Sequence, residues 1–201
     1  LNTRDRRQRQ MCIRDRKKGF ENLNSFSTKI LFGHSYGALI SVYGVINEVI
    51  KPDYLILTAP LFKDNYPKLI RSLSKPLGKI APRFRTLSPI TKKNLSTDRD
   101  VVSSYFKDPL VFRTFSFRLG SEITRVQDSV QENISNLKIP TIVLHGDNDR
   151  VCPIDGNEKI MKLENVKFIK VNNSAHEILN QDTRMFVLSE IHNWMKDNKI
   201  I

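Results

Sequence analysis

The sequence predicts an α/β protein, with a parallel sheet flanked by helices and a helical cap inserted between two strands. Three observations predict this class: short apolar runs alternate with segments of helical spacing, a glycine-flanked serine follows the first run, and polar loops follow the later runs. Strands buried on both faces of a parallel sheet have this continuous apolar character. The 201 residues suffice for one cored domain, on the usual scale of ~100 to 200 residues per domain.

Residues 19–60 contain the first two predicted strands and the helix between them. The run Lys29 to Phe32 predicts a strand that ends at Gly33, and Ala38 to Ile50 has helical spacing. The second strand is predicted at Tyr54 to Thr58, where Ala59 and Pro60 follow. A strand, a helix and a second strand in this order favour a parallel pair.

Residues 138–201 continue the same alternation and are expected to complete the core begun by residues 19–60. Strands and segments of helical spacing alternate at Thr141 to Leu144, Asp155 to Leu163, Val166 to Val171 and Thr183 to Asn198. The order favours further parallel strands separated by helical connections.

Residues 61–137 interrupt the alternation and predict a helical cap or lid without a strand. Helices are predicted at Tyr66 to Leu73, at Asp98 to Phe106 with Thr97 as N-cap, and at Glu122 to Ile134. A long insertion at the end of a sheet where loops build sites is typical of a lid. A helical subdomain of purely structural use is the alternative.

The net charge of +12 is concentrated in two segments. Residues 1–18 contain eight Lys or Arg against two Asp, and residues 62–99 contain ten against two. The string Met11 to Arg16 resembles the translated end of a transposon-derived sequencing adapter. We therefore expect residues 1–18 to be a non-native, disordered basic head that is no part of the fold. Little then remains to favour a nucleic-acid partner, and none is expected.

Cysteine content and hydropathy exclude two classes of protein. Only Cys12 and Cys152 are present, so neither a disulfide framework nor a cysteine-rich metal site is expected. No apolar run approaches the ~18 residues that a membrane span needs. We expect a soluble protein, cytoplasmic or peripheral to a membrane, whose compartment the sequence leaves unknown.

A candidate nucleophile lies between the first strand and the first helix. Gly33, His34, Ser35, Tyr36 and Gly37 spell G-x-S-x-G, the pattern of a nucleophile elbow. Such a turn lifts the serine Oγ clear of the backbone, and its glycines give strand and helix room to approach. The backbone N–H of Tyr36 is the predicted oxyanion donor. A strand-to-helix turn with an incidental serine is the alternative.

Four histidines compete for the role of general base. His176 follows the strand Val166 to Val171 by a short polar loop, which is the usual place for such a base in an open α/β sheet. We expect His34 to point away from the serine hydroxyl, His145 to be structural, and His192 to be a half-buried helical residue.

Two aspartates are candidates for the acid that orients the base. Asp147 and Asp149 both follow the strand Thr141 to Leu144, and either residue could instead close the turn. The chain order Ser35, Asp149, His176 is the order of α/β-hydrolases. Asp149 is therefore preferred over Asp147.

The segments GHSYGALIS, HGDNDRVCP and NNSAHEIL resemble the three catalytic segments of the monoacylglycerol lipase and lysophospholipase group within the α/β-hydrolase fold. The resemblance runs from about Ser27 to the C-terminus. It puts the catalytic acid three residues after the glycine of the H-G-x-x-D turn, at Asp149. Asp108 to Val111 resembles part of the family's lid, and Lys138 to Pro140 resembles the entry to the acid-bearing strand.

The resemblance implies a serine hydrolase that cleaves lipid-type carboxylic esters, monoacylglycerol or lysophospholipid, through an acyl-enzyme on Ser35, without a metal or organic cofactor. General carboxylesterase, thioesterase, aminopeptidase and a non-catalytic relative remain the alternatives. Ala38 stands where many relatives have glycine, and a small residue should still fit there.

Part of the family's pattern does not occur in this sequence. The family has earlier strands and an H-G-x-x loop, which supplies the second oxyanion donor, ahead of the nucleophile. We therefore expect a partial α/β-hydrolase fold that contains the C-terminal strands, with an unpaired apolar edge at Lys29 to Phe32. The chain as written is expected to be weakly active or inactive.

The predicted lid mixes apolar and basic side chains. An amphipathic basic segment can lie against an anionic lipid surface, so peripheral membrane contact is predicted beside the lipid ester substrate. A helix that buries one face on the core is the alternative. The apolar residues are Leu61, Phe62, Leu69, Ile70, Leu73, Leu77 and Ile80, and the basic residues are Lys63, Lys68, Arg71, Lys75, Lys79, Arg83 and Arg85.

Overall fold

The computed structural model describes residues 27–88 and 90–201, so the predicted head at residues 1–18 lies outside the described residues. The strands in chain order are β1 (Ile30–His34), β2 (Tyr54–Thr58), β3 (Arg85–Leu87), β4 (Thr114–Ser116), β5 (Thr141–Gly146) and β6 (Val166–Val171). The helices are α1 (Tyr36–Ile46), α2 (Lys68–Ile80), α3 (Arg99–Lys107), α4 (Phe117–Asn133) and α5 (Arg184–Asp197).

Four of the strands form a parallel sheet in the order β1-β2-β5-β6. This is the predicted parallel sheet, and the predicted bounds of β2 and β6 agree with the structure. Every residue of β5 is buried because this strand lies inside the sheet with cover on both faces.

Alternate residues of the inner strands face two separate apolar clusters. Leu55 and Leu57 of β2 pack with α1 and α4, whereas Ile56 between them packs with α5 and Trp194. The period of two follows from strand geometry, in which successive side chains point to opposite faces. The sheet is therefore held between α1 and α4 on one side and α5 on the other.

β1 lies at one edge of the described sheet. Its side chains alternate in exposure, and Phe32 remains 46% exposed. The apolar edge expected from the sequence is present in the described part of the chain. On its other side, β1 pairs with β2 from Ile30 to His34.

The segment between β2 and β5 corrects the expectation of an insertion without strands. β3 and β4 pair antiparallel within it, and each has only three residues. The predicted helices are all present with shifted ends; α2 runs on to Ile80 through Pro76, and α4 begins at Phe117. The N-cap of α3 is Asp98 instead of Thr97, and its carboxylate accepts from the backbone N–H groups of Asp100 and Val101.

Helix α2 contacts α4 through small and polar residues. Ser74 Oγ lies 3.1 Å from Thr124 Oγ1, and Gly78 packs directly against Ser121. Arg71 donates to the Asp128 carboxylate at 2.7 Å. Leu77 of α2 is half-buried, but the other large apolar residues of this helix are exposed, namely Leu69, Ile70, Leu73 and Ile80.

Two further expectations differ from the structure. Asp155 to Leu163 does not form one helix but two short 3₁₀ turns, Ile154–Asn157 and Ile160–Lys162. α1 ends at Ile46, before its predicted end at Ile50.

Within the described residues, no helix combines the length and the apolar character that a membrane crossing requires.

Candidate active site

Ser35 occupies a strained turn between β1 and α1. Its φ of 53° and ψ of −120° lie in a region that L-residues rarely adopt. Gly33 is buried, and a Cβ atom there would approach the Ala38 Cα to 2.7 Å, so only glycine fits. Ser35 N–H donates to the Thr58 carbonyl at 2.9 Å, which ties the turn to β2.

The first turn of α1 begins directly after the serine. Tyr36 is its first residue and Gly37 its second, and the Gly37 carbonyl accepts from the Ser41 hydroxyl at 2.8 Å. The backbone N–H of Tyr36 thus lies at the positive end of the helix dipole, beside the serine. This is the arrangement expected of an oxyanion donor.

His176 links Ser35 to Asp149. His176 Nε2 lies 3.0 Å from Ser35 Oγ, and His176 Nδ1 lies 2.8 Å from Asp149 Oδ2. An ionised carboxylate only accepts hydrogen bonds, so Nδ1 carries the proton and Nε2 accepts from the serine hydroxyl. The structure therefore brings together the serine, base and acid that the sequence suggested.

Asp149 is held as a buried anion. Its Oδ1 accepts from the backbone N–H groups of Val151 and Cys152, each at 2.8 Å. Burial opposes the negative charge, but hydrogen bonds from His145 and His176 outweigh burial and hold the pKa of Asp149 well below its usual range. The acid thus stays ionised at neutral pH.

Asp147, the alternative acid, makes different contacts. Its Oδ1 accepts from the backbone N–H of Ser174 at 3.2 Å, and its own N–H donates to the Val171 carbonyl at 3.0 Å. Between the two strand ends, Gly146 allows a close approach, because a Cβ atom there would come within 2.5 Å of the Ala175 carbonyl oxygen. Asp147 and Gly146 together fix the loop that carries His176.

His145 is buried beneath this loop, consistent with a structural role, and it also touches the acid. The Asn157 amide nitrogen donates to His145 Nδ1 at 2.7 Å, so the proton of the neutral ring is on Nε2. Nε2 lies 2.8 Å from the Cys152 carbonyl and 3.2 Å from Asp149 Oδ2. No motif in the sequence indicates this second histidine beside the carboxylate.

His34 turns toward the base. Its ring centroid lies 5.0 Å from that of His176, its Nδ1 lies 3.0 Å from Thr58 Oγ1, and its Nε2 lies 3.4 Å from Glu177 Oε1. Contact with His34 lowers the pKa of Glu177, although burial opposes this shift. Glu177 was missed by sequence reasoning, and its one signal was its position directly after His176.

Cys152 lies close to the serine, whereas His192 lies on α5. Cys152 Sγ lies 3.9 Å from Ser35 Oγ, and burial together with the charge of Asp149 raises the pKa of this thiol. Cys152 therefore stays neutral. His192 is exposed on α5 instead of half-buried as expected.

The sheet order, the strained serine turn and the series Ser35, His176, Asp149 define a protein of the α/β-hydrolase fold, with a site arranged as in serine hydrolases. The profile of the family described as serine aminopeptidase, S33, matches residues 11–183, and the chain belongs to this family. Its match covers β1 to β6 and the whole site described above.

Individual relatives point to a narrower group. The chain is 28% identical to a monoglyceride lipase homolog of Monkeypox virus, over 82% of this chain and 62% of the relative. It is 26% identical to a monoacylglycerol lipase of Mycolicibacterium smegmatis, over 83% of this chain and 61% of the relative. The chain thus spans about three fifths of the length of these curated relatives.

A solved structure supports the same fold. The crystal structure of Paleococcus ferrophilus monoacylglycerol lipase superposes with a TM-score of 0.83 at 22% identity, covering 92% of this chain and 74% of the other. The chain thus has the α/β-hydrolase fold and is similar in sequence to monoacylglycerol lipases.

Proposed function

We propose that the protein is a serine hydrolase that cleaves carboxylic esters of lipid type, monoacylglycerol or lysophospholipid, through an acyl-enzyme on Ser35. The observation that carries the proposal is the hydrogen-bond series from Ser35 Oγ to His176 and from His176 to Asp149, at 3.0 Å and 2.8 Å. A serine hydroxyl is a poor nucleophile unless a positioned base takes its proton.

In the proposed acylation, His176 Nε2 accepts the proton of Ser35 while Oγ attacks the ester carbonyl carbon. Asp149 keeps the proton of the ring on Nδ1 and stabilises the imidazolium without itself becoming protonated. The developing oxyanion accepts a hydrogen bond from the Tyr36 N–H. His176 then donates its proton to the leaving alcohol oxygen, and the acyl group stays on Ser35.

Deacylation repeats these roles with water. His176 removes a proton from the water that attacks the acyl carbonyl, and it returns a proton to Ser35 Oγ as the fatty acid leaves. Each proton moves between Ser35, His176, water and substrate, and this sequence of steps calls for no metal or organic cofactor.

The lipid substrate is supported by the relatives, which are named as monoglyceride lipases, and by the cap. We assign residues 19–60 and 138–201 to the catalytic core and residues 61–137 to the cap. The outward apolar face of α2 suits a lipid surface, since Leu69 is 71% exposed. Peripheral contact with an anionic lipid surface through this cap belongs to the proposal.

The second oxyanion donor bears on the activity of the 201-residue chain. His34 is its first histidine, so no H-G-x-x loop precedes the nucleophile in this sequence. Loss of one oxyanion donor typically costs ~100 to 1,000-fold in rate. We therefore propose that the chain as given is weakly active or inactive, and that a longer reading frame that contains it is more active.

A fluorophosphonate probe tests the proposed nucleophile. We expect covalent labelling of Ser35 in this chain or in the longer reading frame, and loss of labelling in Ser35→Ala. Absence of labelling in both chains would instead identify a non-catalytic relative.

A substrate panel tests the proposed class, since the family description also includes aminopeptidase activity. Monoacylglycerol, lysophospholipid, a short aryl ester, an acyl thioester and an aminoacyl amide should be compared by kcat/KM. Turnover is expected to favour the lipid esters, and labelled enzyme that turns over no lipid would refute that choice.

A further inference from the structure

Three potential metal ligands meet beside Ser35. His34, His176 and Glu177 each offer one nitrogen or oxygen atom, and these atoms lie within 4.8 Å of one another. The geometry combines two imidazoles with one carboxylate, a set that zinc uses in catalytic sites.

Both imidazoles are oriented as zinc ligands usually are. His176 Nδ1 donates to Asp149 Oδ2 at 2.8 Å, and His34 Nδ1 lies 3.0 Å from Thr58 Oγ1. A histidine that binds a metal almost always has its other ring nitrogen held by such a partner. Nε2 is therefore the atom that each ring presents to a common point.

Glu177 presents one oxygen to the same point. Its Oε2 accepts from the Asn180 side chain at 2.8 Å, while Oε1 lies 3.4 Å from His34 Nε2. That nitrogen is buried, and among residues 27–88 and 90–201 it has no hydrogen-bond partner. A buried nitrogen without a hydrogen bond calls for a partner, and a cation held between it and the carboxylate would supply one.

The cluster lies partly at the protein surface, although the His34 Nε2 atom itself is covered. The side chain of His34 is 28% exposed and that of Glu177 is 19% exposed, whereas that of His176 is almost fully buried. Ligand atoms of a tetrahedral zinc ion lie about 3.3 Å apart. The three atoms lie within 4.8 Å of one another, so changes of about 1.5 Å or less in their separations would reach this spacing.

We propose that His34, His176 and Glu177 form a Zn²⁺ site whose occupation inhibits the enzyme. The ion would take the lone pair of His176 Nε2, which the proposed mechanism needs to accept the serine proton. Ser35 Oγ would then keep its proton, and no acyl-enzyme would form. Nothing is oxidised or reduced, and removal of zinc restores the free base.

A second cluster nearby, Asp149 with Cys152 and His176, is a poorer site. The Asp149 oxygens already accept hydrogen bonds from backbone and histidine donors. The His176 nitrogen that faces Asp149 is Nδ1, which carries a proton and so has no lone pair for a metal. The Cys152 thiol is neutral and buried, whereas zinc binds thiolate. Cys152 therefore serves as a control position.

Direct binding of ZnCl₂ tests the site without any lipid substrate. Isothermal titration of the chain carrying Cys12→Ser and Cys152→Ser, which removes both thiols, is expected to give one zinc per chain. Glu177→Gln and His34→Gln should each weaken binding about tenfold or more, while Ser35→Ala and His192→Gln should not. Equal affinity in all variants, or no binding, would overturn the site. Thermal unfolding without zinc checks that each variant is folded. If His34→Gln is unfolded, the comparison of Glu177→Gln with the parent decides.

Inhibition has a separate readout. Zinc should slow fluorophosphonate labelling of Ser35 in the parent, EDTA should reverse the effect, and Glu177→Gln should need about tenfold more zinc. Bound zinc with an unchanged labelling rate would refute the inhibitory role. If the parent is not labelled at all, the proposed function fails while the titration still decides whether zinc binds.

Discussion

His145 Nε2 lies 3.2 Å from Asp149 Oδ2, the same oxygen that faces His176 Nδ1. One buried carboxylate oxygen therefore has two histidines as neighbours. Because the His145 ring is also fixed by Asn157, it helps to hold the Asp149 carboxylate in place. The acid is positioned by a wider set of contacts than the proposed triad alone.

The lowered pKa of Asp149 predicts how stability depends on pH. A carboxyl whose folded pKa lies below its unfolded value of ~3.9 contributes stability that is complete above about pH 5 and is lost as pH falls. We expect the free energy of unfolding in urea to fall from pH 6 to pH 3 more steeply in the parent than in Asp149→Asn. Parallel curves would show that Asp149 contributes no such linkage.

Substitutions of Asp149 and Asp147 should have different effects on kcat. Asp149→Asn is expected to lower kcat by roughly 10⁴-fold, because an amide favours the wrong tautomer of His176. Asp147→Asn retains the oxygen that accepts from Ser174 N–H, so its kcat should change little. Esterase kinetics on the more active chain length measure both, and similar losses would contradict the assignment of the acid.

The strain at Ser35 predicts a difference between two inactive variants. Ser35→Gly should be more stable than Ser35→Ala by about 1 kcal/mol or more, because glycine adopts a positive φ without strain. Urea unfolding of the two proteins measures the difference. Alanine as the more stable variant would mean that the turn relaxes when the hydroxyl is removed.

Gly146 is predicted to tolerate no side chain. In Gly146→Ala the new Cβ would meet the carbonyls of Ser174 and Ala175, pushing away the loop that carries His176. We expect the free energy of unfolding to fall by about 2 kcal/mol. We also expect kcat to fall in the protein that remains folded, because His176 is displaced. Gly120→Ala in α4 is the matched control, since its Cβ meets only the edge of the Phe115 ring and alanine favours a helix. Equal effects would argue against the close approach.

The exposed face of α2 predicts lipid binding. Leu69→Ser combined with Leu73→Ser should weaken binding to anionic vesicles about tenfold, since each change removes apolar area that would contact lipid. Leu110→Ser is the control, since Leu110 is more exposed than either leucine but lies outside α2. Vesicle co-sedimentation measures binding, and equally weak binding of the parent to anionic and neutral vesicles would remove the membrane proposal.

The sequence predicts the central sheet well because its strands are apolar runs with sharp ends. β2 is enclosed between Asp53 and Ala59, and β6 ends where polar Asn172 begins. β3 and β4 have three residues each, which is too short for a pattern to emerge.

Helix ends in the proposed cap were harder to predict because tertiary contacts override local signals. α2 continues through Pro76, a residue that usually ends a helix, while its Arg71 and Ser74 are bonded to α4. Thr97 was a plausible cap from its type, but its hydroxyl donates to Gln181 Oε1 at 3.1 Å and leaves the cap to Asp98.

In the candidate site, too, some features are predictable from the sequence and others are not. Ser35 and His176 each lie at a strand end with a recognisable motif, so sequence reasoning finds them. The pairing of His34 with Glu177 joins two segments that are far apart in the chain, and single-residue patterns do not reveal such pairs.

The contact between Ser35 and His176 spans 141 positions of the chain, and β2 pairs with β5 across the whole proposed cap. Contacts between segments so distant in sequence are slow to form during folding. Reactivity of Ser35 should accordingly appear late when the denatured chain refolds, after most helical circular dichroism has returned. The rate at which Ser35 becomes reactive would then report the last step of folding.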